Sequence, residues 1–324
     1  MNIKKVFFII IAILIGFSGF SQQKYTIVIH GGAGVMSKSR ISNKQQNEYK
    51  SKLNEALEVG EKLLKEGTNA TDVVVRVINI MENSPLFNAG KGAVFAHNKR
   101  NELDASIMEG KTLNAGAVAG VDDIKNPINA AREVMYNSKH VLLSGEGASE
   151  FAKKQGLEIV PNKYFHTKSR FESLERLQKR ERERTEKDNM GTVGCVVLDT
   201  HGNLAAGTST GGMTNKKYGR IGDAPIIGAG TYANNKTCAV SCTGHGEYYI
   251  RLSFARDISA LMEYKNLSVK DACREEIRKL SELEGTGGVI AVDAKGNIAM
   301  EFNTSGMFRG FIKSSGEKEI AIFK

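Results

Sequence analysis

A twenty-residue segment occurs twice in this chain, and the repeat constrains the fold more than any other feature of the sequence. Residues 194–213 (GCVVLDTHGNLAAGTSTGGM) align without gaps with residues 288–307 (GVIAVDAKGNIAMEFNTSGM), and eight of the twenty positions are identical. Each copy has two strand-forming runs around an Asp-x-x-Gly-Asn turn, whose Gly and Asn tolerate positive φ angles. The repeat therefore predicts two β-hairpins belonging to an antiparallel sheet.

Apolar residues with helical or strand spacing surround these hairpins. Asn69, together with Thr68, is placed to cap a helix that continues to Met81. Further strands are predicted at 25–29, 102–108 and 114–121, and further helices at 53–64, 246–262 and 269–283. Helices before and between paired strands predict an α+β fold, a four-layer αββα sandwich.

The composition is that of a globular protein, with a length that allows one large domain or two small ones, rather than a nucleic-acid-binding or multispanning membrane protein. The chain has 324 residues, 41% of them hydrophobic, and a net charge of +9. Lys4 and Lys5 account for two of these charges and segment 163–188 for three more, which leaves +4 on the rest. No basic stripe with interleaved aromatic residues is present, so we expect no nucleic-acid partner.

The N-terminus has the pattern of a signal peptide. Lys4 and Lys5 precede an apolar run from Val6 to Ile15, and small residues follow up to Ser21. The run is shorter than the roughly 20 residues of a membrane-spanning helix. We expect residues 1–21 to be removed and a soluble protein to be exported to the periplasm or secreted, without stable membrane association. An uncleaved N-terminal anchor is the alternative.

The four cysteines are predicted to be buried free thiols. Cys238 and Cys242 lie four residues apart in one strand-like run, about 13 Å along a strand, which is too far for a disulfide. No cysteine or histidine pair, including Cys195 and Cys273, has metal-ligand spacing.

A charged segment at about 166–190 interrupts the globular pattern. Its first part, 171–177, starts with helical spacing, and 178–189 is almost entirely charged and polar, as in a solvated helix end or a mobile linker. The whole segment is predicted to be a mobile charged linker. Strand-forming residues return at once from Gly191 and Thr192 onward. The chain therefore passes abruptly from a linker into a buried strand.

The sequence GTSTG around Ser209 matches the G-x-S-x-G motif of serine hydrolases. Asp223 and His245 follow in the order of a Ser-Asp-His triad. However, that motif requires a helix directly after the serine, whereas Ser209 lies in the second strand of a predicted hairpin. A hydrolase based on Ser209 is therefore the less favoured alternative.

Thr192 offers a different nucleophile. A threonine hydroxyl needs an adjacent base, and cleavage of the Gly191–Thr192 bond would create one, an α-amino group with a pKa of about 7.7–8.0. Residue pattern alone does not distinguish Thr192 from other strand threonines.

A series of motifs resembles the isoaspartyl peptidase/L-asparaginase members of the plant-type asparaginases, which are N-terminal-nucleophile hydrolases. The resemblance covers about residues 25–310. It is carried, in order, by HGGAG (30–34), PLFNAGKGAVF (85–95), ELDASIM (102–108), AGAVAGV (115–121), MGTVG (190–194), TSTGGMTN (208–215), GRIGDAP (219–225), GAGTYANN (228–235) and TGHGEYYIR (243–251).

The resemblance implies a precursor that cleaves itself between Gly191 and Thr192. An α chain (22–191) and a β chain (192–324) would then form one αββα domain of the N-terminal-nucleophile hydrolase type. It further implies a dimer of αβ units that hydrolyses β-aspartyl dipeptides and L-asparagine through a β-aspartyl acyl-enzyme.

The same resemblance implies a role for each site residue. Thr192 would be the nucleophile, tuned by Thr210, with Thr243 and Gly244 stabilising the oxyanion. Arg220 would bind the substrate α-carboxylate and Asp223 its α-ammonium group. Gly246 and Asn88 would also lie at the substrate site. No cofactor is expected for catalysis, but a structural sodium ion would be bound by the backbone carbonyls of Met81, Glu82, Ser84, Phe87, Ala89 and Lys91.

Two features depart from the usual family pattern. His245 occupies a position where a small residue such as Thr is more common. Export is more typical of the glycosylasparaginases, the second functional candidate, but these carry Asp before the nucleophile where this chain has Gly191. A catalytically silent binding protein is the third candidate.

Overall fold

The computed structural model describes residues 24–34, 36, 41–182 and 191–324. The predicted signal peptide (1–21) and the end of the predicted linker (183–190) lie outside the described residues. Within the described residues, no helix has the length and apolar character needed to cross a membrane.

Two β-sheets form the centre of the molecule. The larger has eight strands in the order β12-β11-β1-β5-β6-β2-β3-β4, and the smaller has four in the order β10-β9-β8-β7. The strands are β1 (Thr26–Gly34), β2 (Leu103–Glu109), β3 (Ala115–Val121), β4 (Leu142–Ser144), β5 (Val193–Leu198), β6 (Leu204–Thr210), β7 (Thr231–Ala233), β8 (Cys238–Gly244), β9 (Gly287–Asp293), β10 (Ile298–Phe302), β11 (Gly306–Lys313) and β12 (Lys318–Phe323).

Helices cover the outer face of each sheet. They are α1 (Asn43–Lys65), α2 (Ala70–Glu82), α3 (Pro127–Asn137), α4 (Gly145–Lys154), α5 (Lys168–Arg182), α6 (Gly246–Leu252), α7 (Phe254–Lys265) and α8 (Val269–Glu282). Helices α1 to α4 pack on the large sheet and α7 and α8 on the small one, while the inner strands of the two sheets face each other. The predicted αββα sandwich is therefore confirmed.

Both repeated hairpins form as predicted, as β5–β6 and β9–β10. The repeated aspartates make the turns, because Asp199 Oδ1 accepts from the N–H groups of His201 and Asn203, and Asp293 Oδ1 accepts from two equivalent N–H groups. However, the hairpins belong to different sheets, stacked so that β5 packs against β9. The two copies of the repeat therefore lie in the two different β-sheets of the sandwich.

Local sequence signals explain other boundaries. The Asn69 side chain accepts from Asp72 N–H at 2.9 Å and so caps α2, as predicted. All four cysteines are buried free thiols, also as predicted.

The first half of the predicted linker is a docked helix, α5. Leu174 is fully buried, and the Phe171 ring packs against Phe95 with centroids 5.4 Å apart. Arg170 donates hydrogen bonds to the carbonyls of Leu86 and Gly92. These contacts attach α5 to the Gly-rich loop that carries Asn88.

Candidate active site

Thr192 lies immediately before β5, between the two sheets. The residue is 8% exposed, and its hydroxyl donates to Thr210 Oγ1 at 3.1 Å. Thr210 ends β6, and the hairpin register that pairs Val193 with Ser209 brings the two threonines side by side. The hairpin repeat therefore positions the nucleophile predicted for this site.

The carbonyl of Gly191 is held from two directions. Asn88 Nδ2 donates to it at 2.7 Å and Thr210 Oγ1 at 3.2 Å. Gly32, with φ +109°, packs against the same bond, and a Cβ there would lie 2.9 Å from Gly191 Cα. The peptide bond before Thr192 is therefore tightly enclosed and its carbonyl is polarised by two donors.

Asn88 is itself fixed by the backbone. Its Oδ1 accepts from Val94 N–H at 2.9 Å, and its Nδ2 also donates to the Gly212 carbonyl at 2.8 Å. This arrangement aims the amide N–H group at Gly191, a contact that the sequence did not indicate.

Arg220 and Asp223 lie next to each other on the loop after β6. Arg220 donates from Nε and Nη2 to both carboxylate oxygens of Glu247, at 2.8 and 2.9 Å. Glu247 stands in the first turn of α6 and is half exposed. One edge of the guanidinium is therefore already paired, and Nη1 is left outside this pair.

Asp223 has an unused acceptor. Its Oδ2 is buried and has no hydrogen-bond partner among the described residues. Burial is the main cause that raises the pKa of the Asp223 carboxyl to about 7. Gly246 makes room beside it, since a Cβ there would lie 2.9 Å from both Asp223 Oδ1 and Arg220 Nη2. A cationic ligand group would satisfy this carboxyl.

Thr243 and Gly244 are the last two residues of β8, and Gly244 lies at the same cavity as Arg220 and Asp223. Thr243 Oγ1 accepts from Ala33 N–H at 3.3 Å, so its own proton can be donated elsewhere. Gly244 has φ +155°, and a Cβ there would lie 2.4 Å from the Thr286 carbonyl oxygen. Only glycine fits this close approach.

A cavity of about 10 Å³ joins these groups. That volume holds about one water molecule. It is lined by Gly191, Thr192, Thr210, Gly212, Met213, Arg220, Gly222, Asp223 and Gly244. The structure thus brings the predicted nucleophile Thr192, its partner Thr210 and the predicted substrate-binding pair Arg220 and Asp223 to one site. Asn88 contacts Gly191 from behind, Gly246 packs against Arg220 and Asp223, and Thr243 directly precedes Gly244.

A protein-family model described as Asparaginase matches residues 23–322. The chain belongs to the asparaginase family. It is similar to an isoaspartyl peptidase of Escherichia coli strain K12, with 50% identity over 89% of this chain and 92% of that protein. A probable isoaspartyl peptidase/L-asparaginase 2 of Arabidopsis thaliana is 42% identical over 93% of this chain and 99% of its own length. An isoaspartyl peptidase/L-asparaginase of Bos taurus is 40% identical over 87% and 91%.

Family membership makes the protein a hydrolase of the N-terminal-nucleophile class, so a silent binding role is not supported. The relatives named above are isoaspartyl peptidases or isoaspartyl peptidase/L-asparaginases, and the glycosylasparaginase alternative is not favoured.

The Ser209 hypothesis does not fit this asparaginase-family site. Ser209 is fully buried, and its hydroxyl donates to Glu82 Oε1 at 2.6 Å. Because side chains alternate along a strand, Ser209 points away from the face that carries Thr210. His245 instead places Nδ1 3.2 Å from Thr286 Oγ1. Ser209 is a structural partner of Glu82, whose carboxyl has its pKa raised to about 7 by burial.

Two site residues were missed by the sequence analysis. His30 places Nδ1 3.0 Å from the Thr192 carbonyl, and Glu247 pairs with Arg220. Both lie within motifs that carry the family resemblance, HGGAG and TGHGEYYIR, but neither motif states which atom its residue contacts.

In the Gly-rich loop after α2, two backbone carbonyls closely approach glycine residues. A Cβ at Gly90 would lie 2.4 Å from the Glu82 carbonyl oxygen, and one at Gly92 would lie 2.1 Å from the Phe87 carbonyl oxygen. These carbonyls therefore crowd positions where only glycine leaves space. Within the described part of the chain, no group of three or more His, Cys, Asp or Glu side chains is arranged to hold a metal ion. Backbone carbonyl oxygens are donors of the type that hard cations accept, so the crowded carbonyls of this loop are compatible with such an ion.

Proposed function

We propose that the protein is a self-cleaving isoaspartyl peptidase that also hydrolyses L-asparagine, with Thr192 as the nucleophile. The names of its relatives support the substrate class. The observation that carries the assignment of Thr192 is the pair of donors, Asn88 Nδ2 and Thr210 Oγ1, on the carbonyl of Gly191.

In the proposed self-cleavage, Thr192 Oγ1 attacks the Gly191 carbonyl carbon. A C–O bond forms, the C–N bond breaks, and the hydroxyl proton passes to the leaving nitrogen. Asn88 and Thr210 would stabilise the charge that develops on the Gly191 oxygen, and one such donor typically contributes about 3–4 kcal/mol. Water then hydrolyses the ester and leaves a Gly191 carboxylate and a free Thr192 amino group.

In the proposed turnover, that amino group takes the proton of the Thr192 hydroxyl. The alkoxide attacks the side-chain carbonyl of the aspartyl residue and expels ammonia or an amino acid, which receives the proton. Thr243 and Gly244 would stabilise the oxyanion, and water would release aspartate.

Recognition of the aspartyl head follows from the charges in the site. The unsatisfied Asp223 Oδ2 suits an α-ammonium group, and the free edge of Arg220 suits an α-carboxylate. The cavity of about 10 Å³ is too small for this ligand while Gly191 lines it. We infer that cleavage also opens the pocket, because the Gly191 end can then move away.

Sodium would be held by the carbonyls of the loop after α2, those of Met81, Glu82, Ser84, Phe87, Ala89 and Lys91. When bound, the ion would supply positive charge that keeps these oxygens together. Its role is to stabilise the loop that presents Asn88.

Export and assembly are further parts of the proposal. Residues 1–21 would direct export and be cleaved after about Ser21, and αβ units would pair as dimers. The mass of the exported protein tests the first point, and its size in solution tests the second.

The central test compares wild type with Thr192→Ala and Thr192→Ser after one day of incubation. We expect intact-mass spectra to show a chain beginning at residue 192 in wild type and in Thr192→Ser, which keeps a hydroxyl. Thr192→Ala should remain uncut and inactive on an isoaspartyl dipeptide. Cleavage and activity of Thr192→Ala would overturn the proposal.

A further inference from the structure

A chain of buried polar side chains leads from Thr192 through the interface between the two sheets. His30 on β1 contacts the Thr192 carbonyl through Nδ1 and Ser241 Oγ on β8 through Nε2, each at 3.0 Å. Ser241 Oγ lies 2.7 Å from Thr208 Oγ1 on β6. Thr208 in turn accepts from the Thr231 hydroxyl at 2.6 Å. All four side chains have 0% exposure.

The chain continues to the loop that carries Asp223. Ser106 Oγ on β2 lies 2.8 Å from Thr231 Oγ1 and 2.5 Å from the Ala224 carbonyl oxygen. One end of this chain of polar side chains therefore contacts the nucleophile Thr192, and the other end contacts Ala224, the residue after Asp223.

The direction of the hydrogen bonds follows from simple chemistry. A carbonyl only accepts, so His30 Nδ1 must carry the proton that faces Thr192. Burial lowers the pKa of His30 to about 3, which keeps the ring neutral and makes Nε2 an acceptor. Ser241 must then donate to His30, and its oxygen is left to accept from Thr208. Two hydroxyl groups in series therefore support the acceptor nitrogen of His30 from behind.

The backbone beside Thr192 leaves space for this contact. A Cβ at Gly194 would lie 2.0 Å from Ser241 Oγ and 2.2 Å from His30 Nε2. Any larger residue at this position in β5 would break the contact between His30 and Ser241.

Cleavage would make the hydrogen bond between His30 and the Thr192 carbonyl more important for positioning Thr192. In the precursor, Thr192 is tethered covalently to both Gly191 and Val193. After cleavage, the residue that bears both the hydroxyl and the amino group is attached at one end only. The hydrogen bond from His30 to its carbonyl oxygen and the hydrogen bond from its hydroxyl to Thr210 then restrain its rotation.

We propose that His30, Ser241 and Thr208 are positioning residues that fix the cleaved Thr192 through its carbonyl oxygen. This inference rests on the proposed function. Loss of the hydroxyl chain should lower kcat, because the reactive groups of Thr192 become misplaced, and should leave KM nearly unchanged, because Arg220 and Asp223 bind the substrate head. Self-cleavage should be slowed less than turnover, because the precursor retains its second tether.

Two substitutions at one position test the role of the hydroxyl. Thr208→Val keeps the shape of the side chain and removes the donor to Ser241, whereas Thr208→Ser keeps the donor and removes a methyl group. We expect Thr208→Val to lower kcat for an isoaspartyl dipeptide about tenfold, the scale of a small misplacement of reacting groups. Thr208→Ser should stay within about twofold of wild type. A purely packing role would give the opposite order.

Thr237→Val is the matched control, because Thr237 belongs to a separate buried hydroxyl pair with Ser259, 2.6 Å apart. It should leave kcat unchanged. If Thr208→Val lacks a cooperative unfolding transition and is therefore not properly folded, Ser241→Ala gives a second test. It should also lower kcat about tenfold. Wild-type kcat in the folded variant, or an equal loss in Thr208→Ser, would overturn the inference. Activity that survives Thr192→Ala would instead overturn the proposed function.

Discussion

At the level of single residues, the Asp223 carboxyl should make substrate binding depend on pH. Burial raises its pKa to about 7, so the neutral form predominates below that pH in the free enzyme. Only the ionised form attracts an α-ammonium group. We therefore expect KM for L-asparagine to rise as the pH falls below about 7, which steady-state kinetics between about pH 5.5 and 8.5 can measure.

Asp223→Asn provides the comparison for this prediction. Its KM should be high at every pH and should lose the rise below about pH 7. A flat wild-type KM across the range would contradict the assignment of Asp223 to the α-ammonium group.

Glu247 offers a prediction about the other half of the substrate head. Its paired bonds orient the Arg220 guanidinium, so Glu247→Gln should weaken carboxylate binding without altering the chemistry at Thr192. We expect KM to rise about two- to fivefold, since a half-exposed ion pair contributes ~0.5–1 kcal/mol. The rise should be equal for L-asparagine and for an isoaspartyl dipeptide, because both present the same α-carboxylate.

Glu263→Gln is a suitable control, because Glu263 forms a similar partly exposed pair with Arg256 on α7. It should leave KM unchanged. A lower KM in Glu247→Gln would mean that Glu247 competes with the substrate for Arg220 rather than orienting it.

The nucleophile itself has no local mark in the sequence, because its base is the amino group that cleavage would create. Residue pattern alone therefore matched a motif at Ser209 and did not select Thr192, to which only the family resemblance pointed. The contact of His30 with Thr192 spans 162 positions of the chain. Only the pairing of β1 with β5 brings these residues together, so no spacing rule could have found it.

At the level of elements, local chemistry was the most predictable. The Asp-x-x-Gly-Asn turns and the Asn69 cap involve residues within four positions of each other, and both form as expected. The placement of the two hairpins in different sheets depends on partners distant in the chain, β1 for β5 and β8 for β9. The repeat could predict hairpins but not their separation.

The Gly-rich loop after α2 should make the stability of the enzyme depend on sodium. A bound ion would hold carbonyl oxygens together that otherwise repel one another. Replacing Na⁺ with tetramethylammonium, which is too large for the loop, should lower Tm by roughly 3–8 °C and reduce activity through Asn88. Differential scanning calorimetry with sodium re-addition measures the effect.

Gly90→Ala should remove this sodium dependence, because its Cβ would press on the Glu82 carbonyl oxygen at a φ of +49°. Gly145→Ala controls for backbone strain, since Gly145 has φ +51° and nothing within 4 Å of a Cβ. If Tm of the wild type is the same in both salts, the loop does not bind sodium.

At the level of the whole molecule, the two proposed chains interleave within one sheet. The strand order places β12 and β11 of the β chain beside β1 of the α chain, followed by β5 and β6 of the β chain and then β2, β3 and β4 of the α chain. Three junctions of the large sheet therefore join strands from different chains. This interleaving could not be predicted from the sequence, because all three junctions pair strands that are far apart in the chain.

The interleaving predicts that self-cleavage leaves a single folding unit. Separating the chains would break every hydrogen bond at three junctions and expose the core between the sheets, so the cleaved chains should elute together on native gel filtration. They should separate only in denaturant, and calorimetry should show one unfolding transition for both. The uncut Thr192→Ala protein should elute at the same volume. Release of the β chain under native conditions would contradict this topology, because a strand pair such as β5 and β6, held on both sides by α-chain strands, cannot leave the sheet without unfolding it.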